Sequence, residues 1–288
     1  MKKIAFVIIS VFAVSLISYG QQTDWNEVGK IFNRKASQTD GYYKFAFPRA
    51  DLTVKIANHK VEPGLALTSW IAFLPMNSKA MVMGDLVLLE SEVSPVLKSI
   101  VKNNFSVTAI HNHIIGELPK VMYLHYYAEG EPVDLANRFK KILSSTATPL
   151  STPVSVKYSA KIDWDSVEKI LGKGIPNGDL LSYSFKRKEN ISDNNMLMPK
   201  TYGVNTTFSF QKVGDKVFTT GDFVLLADEV NNVIKVLTQN NITVTALHNH
   251  MLTEKPRIFF MHFWSYDKPG VLAKALKEAL EETNLSVK

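Results

Sequence analysis

Val107-Thr108-Ala109-Ile110-His111-Asn112-His113 and Val244-Thr245-Ala246-Leu247-His248-Asn249-His250 stand 137 residues apart in a 288-residue chain and differ at one position in seven. The same offset aligns Ala80–Leu143 with Val217–Leu280 without a gap, and 25 of those 64 positions are identical. Gly84-Asp85 falls on Gly221-Asp222, Glu117 on Glu254, Pro119 on Pro256 and His125 on His262. Identity of this kind at one fixed offset marks an internal duplication. Upstream the match continues with a small change of offset, Trp25 against Trp164 and Asp40-Gly41 against Asn177-Gly178.

Between the copies, Ser144–Ser155 is rich in Ser, Thr and Pro, the composition of a connecting segment. The expected organisation is a leader over 1–20, a first repeat domain over 21–147, a linker over 148–158 and a second repeat domain over 159–288. Each copy has an ordinary domain size.

In the leader, Lys2-Lys3 precede an apolar run from Ile4 to Ile17, and Ser18 and Gly20 come after it. This is the pattern of a secretory signal peptide cleaved after Gly20, which places the mature chain in the periplasm or outside the cell. A retained N-terminal anchor is the alternative, although the run is short for a span. No later segment reads as membrane-spanning. The formal charge of +6 falls to +4 once Lys2 and Lys3 are removed, and the other basic residues are scattered. Nucleic acid is therefore not an expected partner, because its recognition needs a clustered basic surface. The chain has no cysteine, which excludes a disulfide scaffold, a thiol nucleophile and thiolate metal sites. Any metal must be held by histidine and carboxylate.

The apolar fraction of 45% suffices for a folded core in each copy. Each copy reads as a short amphipathic helix (Trp25–Ile31 or Trp164–Leu171), a turn, and alternating strands such as Tyr42–Phe47. A hairpin of Leu67–Leu74 with Ala80–Leu89 comes next. Apolar residues at Val93, Val96, Leu97, Ile100 and Val101 predict a helix over Ser91–Asn103, with Ser91 as its N-cap. Two strands, Ser106–Ile115 and Lys120–Tyr127, and a closing helix complete the unit. The expected class is α+β: two tandem ferredoxin-like α/β sandwiches with extra leading strands, in a pseudo-two-fold arrangement.

Six of the seven histidines occupy repeat-matched positions, and only His59 does not. His111 and His113 lie two apart on a strand and so share a face. If the hairpin turns about Glu117-Leu118-Pro119, a register placing His125 opposite His111 brings three imidazoles together, and His248, His250 and His262 repeat the set. Three converging imidazoles are the donor set of a divalent metal, zinc foremost. Asp85 and Asp222 are candidate ligands or orienting partners, and Glu117 and Glu254 candidate fourth ligands or general bases. Tyr123, Tyr127, Phe260 and Trp264 line the same expected face as a pocket, which the other copy's sheet can close. Ile110, Ile114, Met122 and Leu124 are expected on the opposite, helix-covered face.

Plainer readings stand beside these. A strand His-x-His can be a hydrogen-bonded structural pair, Asp85 can serve the backbone after Gly84, and Asn112 and Asn249 can brace local chain. Glu92 and Glu229 read as helix N-terminal charges, and the four aromatics can be core. The contiguous His-Asn-His is not the HNH nuclease motif, whose residues are spread over a ββα element. Neither a His-Glu-x-x-His helix, a Gly-x-Ser-x-Gly elbow nor a phosphate-binding loop is present.

Phe47-Pro48-Arg49-Ala50-Asp51, Met83-Gly84-Asp85-Leu86-Val87-Leu88, the two His-Asn-His blocks and Pro256–Trp264 resemble the LppY/LpqO family. This is a bacterial, typically exported group built on a domain of unknown function. The resemblance covers nearly the whole mature chain. It implies bacterial origin and export, and carries no activity with it. The members that name the family look like lipoproteins, whereas this chain has no cysteine to hold a lipid. In the second copy Lys186-Arg187 stands where Pro48-Arg49 stands in the first.

Three functions are expected from these features: an exported protein binding a divalent metal through the two histidine sets, in two sites or one shared site; a metal-dependent hydrolase with Glu117 or Glu254 as base; or a non-catalytic module taking a small molecule, glycan or peptide on its aromatic face.

Overall fold

The computed structural model describes residues 23–151 and 163–285. The leader over 1–20 and residues 152–158 of the expected linker lie outside them. In the first half the elements run α1 (Trp25–Phe32), β1 (Ser37–Thr39), β2 (Tyr42–Pro48), β3 (Lys55–Ile56), β4 (His59–Lys60), α2 (Pro63–Ala66), β5 (Thr68–Met76), β6 (Lys79–Leu89), α3 (Glu90–Lys102), β7 (Ser106–His111), β8 (Val121–Gly130) and α4 (Pro132–Leu143). The second half runs α5 (Asp165–Leu171), β9 (Ile175–Asn177), β10 (Leu180–Phe185), β11 (Ser192–Asp193), β12 (Met196–Leu197), β13 (Thr206–Val213), β14 (Lys216–Leu225), α6 (Val230–Gln239), β15 (Thr243–His248), β16 (Phe259–Asp267) and α7 (Pro269–Glu281).

Local chemistry sets the boundaries. Asp24 caps α1 through its carboxylate, which accepts from the Asn26 amide, and Asn33 ends the helix in the left-handed region. The β1–β2 turn uses Asp40 and Gly41 at φ 45° and 84°, the positive values that a tight hairpin requires. The cap of α3 differs from the expected Ser91. The helix begins at Glu90, and Glu92 reaches back to accept from the Leu89 amide at 2.9 Å.

Each half forms a six-stranded antiparallel sheet, in the orders β1-β2-β5-β6-β8-β7 and β9-β10-β13-β14-β16-β15. This departs from a ferredoxin-like sandwich. The place beside β6 that such a fold gives to its last strand is held by β5, which arrives earlier through a hairpin, and β2 and β1 extend the sheet beyond it. The fold is mixed α+β in two similar halves.

Helices cover one face of each sheet. Phe32, Phe45, Leu86, Val96, Leu124 and Phe139 belong to the first helix-side core, and Val167, Phe210, Phe223, Leu237, Met261 and Leu276 to the second. The other faces turn toward each other. Residues 52–67 of the first half pack with Phe218 and Trp264 of the second. In return Ile191, Met198, Tyr202 and Val204 pack on Ala72, Met81 and Met83 of the first. Tyr202 Oη donates to the carbonyls of both Ala72 and Met81 at 3.1 Å. The layers therefore run helix, sheet, sheet, helix. Among the described residues no helix is long and apolar enough to cross a membrane.

A buried arginine anchors each half. Arg49 Nη1 donates to the Val87 carbonyl at 2.6 Å and to Glu92 at 2.7 Å, and Nε donates to Asp51 at 3.0 Å. Arg187 repeats this with Val224, Glu229 and Glu189 at 2.6, 2.8 and 2.9 Å. The same two glutamates accept from the Ala147 and Asn284 amides, tying the segment after the last helix to the sheet. Glu92 and Glu229 thus do more than bias a helix dipole, and Arg49 and Arg187 play one role despite the different residue before each.

Candidate metal centre

Register builds the site. In the first half Trp70 pairs with Asp85, Asp85 with His125, and His125 with Ala109. In the second, Thr207, Asp222, His262 and Ala246 form the same row. Cross-strand partners share a face, so each aspartate lies beside a histidine on the face turned to the other half. His125 stands opposite Ala109, and His111 opposite Tyr123. The expected register was two residues off. A two-residue shift keeps every side chain on its face, so the convergence survives it.

Bulges at Thr108 and Thr245 complete the aim. Val107 packs into the helix-side core, whereas Ala109 and His111 point the other way, a switch that simple alternation forbids and an extra residue permits. β7 and β15 end at His111 and His248, so alternation does not govern the residues beyond them. Ile114 and Met251 turn to the interface between the halves, not to the helix side.

Glycine does specific work at Gly84 and Gly221. A Cβ on Gly84 would lie 2.1 Å from the Trp70 carbonyl oxygen and 2.2 Å from Tyr126 Oη; one on Gly221 would lie 2.3 Å from the Thr207 oxygen. The carbonyls of these glycines accept from Nδ1 of His125 and His262, both at 2.9 Å. Gly203 O accepts from His250 Nδ1 at 3.3 Å. A carbonyl can only accept, so Nδ1 carries the proton and Nε2 keeps its lone pair. The Nε2 atoms of His125, His250 and His262 are buried with no partner, as are both ring nitrogens of His248 and Nδ1 of His111.

The halves interleave at this point. The rings of His111 and His248 stack at 3.9 Å. His113 packs on His262, and His125 on His250, each at 3.8 Å. His111 and His113 bring their Nε2 atoms to 3.0 Å. Asp85 Oδ2 lies 3.3 Å from His113 Nε2, and Asp222 Oδ2 lies 3.4 Å from His250 Nε2. Three sets, His111/His125/His248/His262, Asp85/His111/His113 and Asp222/His250/His262, each gather one donor atom per residue within 4.8 Å of one another. Donors on a tetrahedral zinc stand about 3.3 Å apart given ~2.0 Å bonds. The residues present fit a divalent ion after modest side-chain closure.

Desolvation by burial is the largest cause lowering all six imidazoles, and at His111, His125, His248, His250 and His262 neighbouring imidazoles lower them further; His113 falls to about 3. They are neutral at pH 7, the state that ligates. Desolvation pushes Asp85 up to about 6, against the pull of His125, and raises Asp222 well above the usual carboxylate range. Eight polar residues gathered with so many unpaired donor atoms are costly unless something completes them.

The other candidates lie elsewhere. Glu117 accepts from the Val121 amide at 3.1 Å, and Glu254 from the Ile258 amide at 3.3 Å while pairing with Arg257 at 3.0 Å. Both brace the loops between their hairpin strands, and neither belongs to the three donor sets. Tyr123 and Phe260 stack on His113 and His250 at 3.6 and 3.4 Å and are fully buried. Tyr127 hydrogen-bonds Asn194, and Trp264 packs against Phe218. The four aromatics are walls and core, not an open binding face. Asn249 Nδ2 donates to the Thr108 and Met251 carbonyls at 2.9 Å, bracing backbone across the halves. His59 is exposed near Phe218 and Tyr266, away from the cluster.

Sequence reasoning missed Lys44. With Trp70 it lines a cavity of about 380 Å³ whose wall also includes His113, His125, His250 and His262. Burial brings its ammonium down to about 8, opposed by Asp85, which leaves it mostly charged at pH 7. Nothing in the repeat pattern marks it, because its counterpart is Ser182.

The family model described as "Domain of Unknown Function (DUF1259)" matches twice, over residues 26–145 and 165–282. The chain belongs to this family. Each match spans one sheet with its helices, and the donor sets of the candidate centre draw on both copies. The comparison with curated proteins gives no match. Among solved structures the chain is similar to a trimeric bacterial microcompartment shell protein, PduB, at 11% identity and a TM-score of 0.22, covering 85% of this chain and 88% of that one. It is also similar to EtuB from Clostridium kluyveri at 9% identity and a TM-score of 0.20, with 86% and 90% covered. Scores this low carry no argument about fold or function.

Proposed function

We propose that the protein binds a divalent metal ion, zinc by its donor set, in one site shared by its two halves. The observation that carries this reading is the convergence of unpartnered imidazole nitrogens from both halves, several locked by carbonyl hydrogen bonds into the ligating tautomer. Asp85 and Asp222 complete or orient the donor set. Binding, not hydrolysis, is the activity proposed, because Glu117 and Glu254 are engaged in their own loops. The aromatic-face reading loses its basis for the same kind of reason, since Tyr123 and Phe260 are covered. Export after cleavage at Gly20, and closeness to the LppY/LpqO family, belong to this proposal on sequence grounds alone.

Dialysis of metal-free protein against zinc, followed by metal analysis, tests the reading. Zinc is expected to be retained in stoichiometric amount. His248→Ala alone is expected to lower uptake by the whole chain rather than by half, since a shared site needs both copies. Wild-type protein that retains no zinc overturns the proposal, and a variant retaining half would replace one shared site by two.

A further inference from the structure

The cavity beside the cluster has a wall that the duplication does not explain. Lys44 pairs across the sheet with Ala72, and Ala46 with Trp70, so Lys44 stands diagonal to Trp70 on the face turned to the histidines. Its Nζ lies 4.2 Å from the Trp70 ring centroid. Among the described residues no carboxylate lies within ion-pairing distance of it, although it is half-buried. The matched position in the second half, Ser182, hydrogen-bonds Ser209 at 2.7 Å, and Thr207 stands where Trp70 does. The second sheet forms without a lysine here, so the sheet does not require Lys44. Opposite it the wall is neutral and polar, with Ser184, Asn205 and Thr207.

Charge decides what such a cavity can take. With neutral imidazoles, a divalent ion and Lys44 together outweigh Asp85 and Asp222 by one positive charge, in a partly dehydrated space where that excess attracts an anion. The volume suits a small molecule. We propose that the cavity takes a small oxyanion-bearing ligand, a phosphate or carboxylate compound, with its anionic group held between the histidine–aspartate cluster and the Lys44 ammonium. This rests on the metal reading above and names the ligand class of the same site.

Calorimetric titration of the zinc-loaded full chain with inorganic phosphate, and separately with succinate, tests it and separates the two anion chemistries. At least one probe is expected to bind at one per chain. Lys44→Met is expected to weaken that binding tenfold or more while the zinc content and far-ultraviolet circular dichroism stay unchanged, and Lys44→Arg to restore most of it. If neither probe binds the zinc-loaded protein, or Lys44→Met binds as tightly as wild type, the anion site is overturned and the metal reading stands. If the wild type holds no zinc, both fall together.

Discussion

The two halves share a scaffold and differ in two places: the segment between β2 and β5 or β10 and β13, where among the described residues only the first half carries a helix, α2, and one wall of the cavity. Both place a Gly-Asp pair, a strand histidine and a His-Asn-His segment on the inner face, and both fasten β2 or β10 with a buried arginine. They part where the cavity lies: Lys44 and Trp70 in the first half face Ser184 and Thr207 in the second. The shared features hold the sheets and gather the donor atoms, tasks each copy must perform. Of the unshared ones, Lys44 lines the cavity, and Trp70 both lines it and packs against the apolar contact between the halves.

The largest expected effect tests whether the scaffold is equivalent. Arg49→Met leaves Glu92 and Asp51 without their cation, and Arg187→Met does the same to Glu229 and Glu189. Each is expected to cost about 3–5 kcal/mol, the usual penalty for stranding a buried charge, read as a shift in the urea midpoint. Equal costs support one role in both halves; a cost in one half alone breaks the comparison. Next, Gly84→Ala and Gly221→Ala are each expected to cost ~1–3 kcal/mol, because backbone oxygens stand in the way of the new methyl. Thermal denaturation that leaves either variant at wild-type stability would show that the strands can part there.

Acidification gives a smaller effect per group. The folded imidazoles titrate below their ordinary value near 6.5, so below that pH the unfolded chain binds more protons and the metal-free protein loses stability. Asp85, raised on folding to about 6, and Asp222, raised well above the usual carboxylate range, oppose this as pH falls, but they are two against six. Denaturation midpoints are expected to fall from pH 7 to pH 5. Removing one imidazole, by His111→Gln or His248→Gln, is expected to flatten the slope by at most about 1.4 kcal/mol per pH unit. A flat profile in the wild type would mean that the cluster is hydrated or already charged. Smallest of all, Glu117→Gln and Glu254→Gln should each cost about 1 kcal/mol and leave zinc uptake unchanged; loss of uptake would return these residues to the site.

Much of the scaffold was legible in the chain because it is local. Helical spacing placed α3, and turn residues placed the hairpins. Strand alternation put His111 and His125 on one face even though the register was off by two. Legibility failed where the chain leaves regular structure. The bulge at Thr108 reverses alternation at Val107, and Ile114 and Glu117 lie past the strand end, where period two has no meaning. Arg49 and Glu92 left a trace in the paired offsets of Arg187 and Glu229, but their contact spans 43 residues and no local pattern reports it. Lys44 left none, since only its neighbours across the cavity distinguish it from any solvated lysine.

By itself the sequence determined the duplication, the long strands and helices that the copies share, and the limit that any metal must be held by imidazole and carboxylate. These rest on composition and periodicity, which each segment carries alone. Only the tertiary structure decided that the two histidine sets meet in one cluster rather than two, and that a lone lysine faces it. Two sheets bury their helix-free faces against each other, and that packing sets side by side residues 137 positions apart.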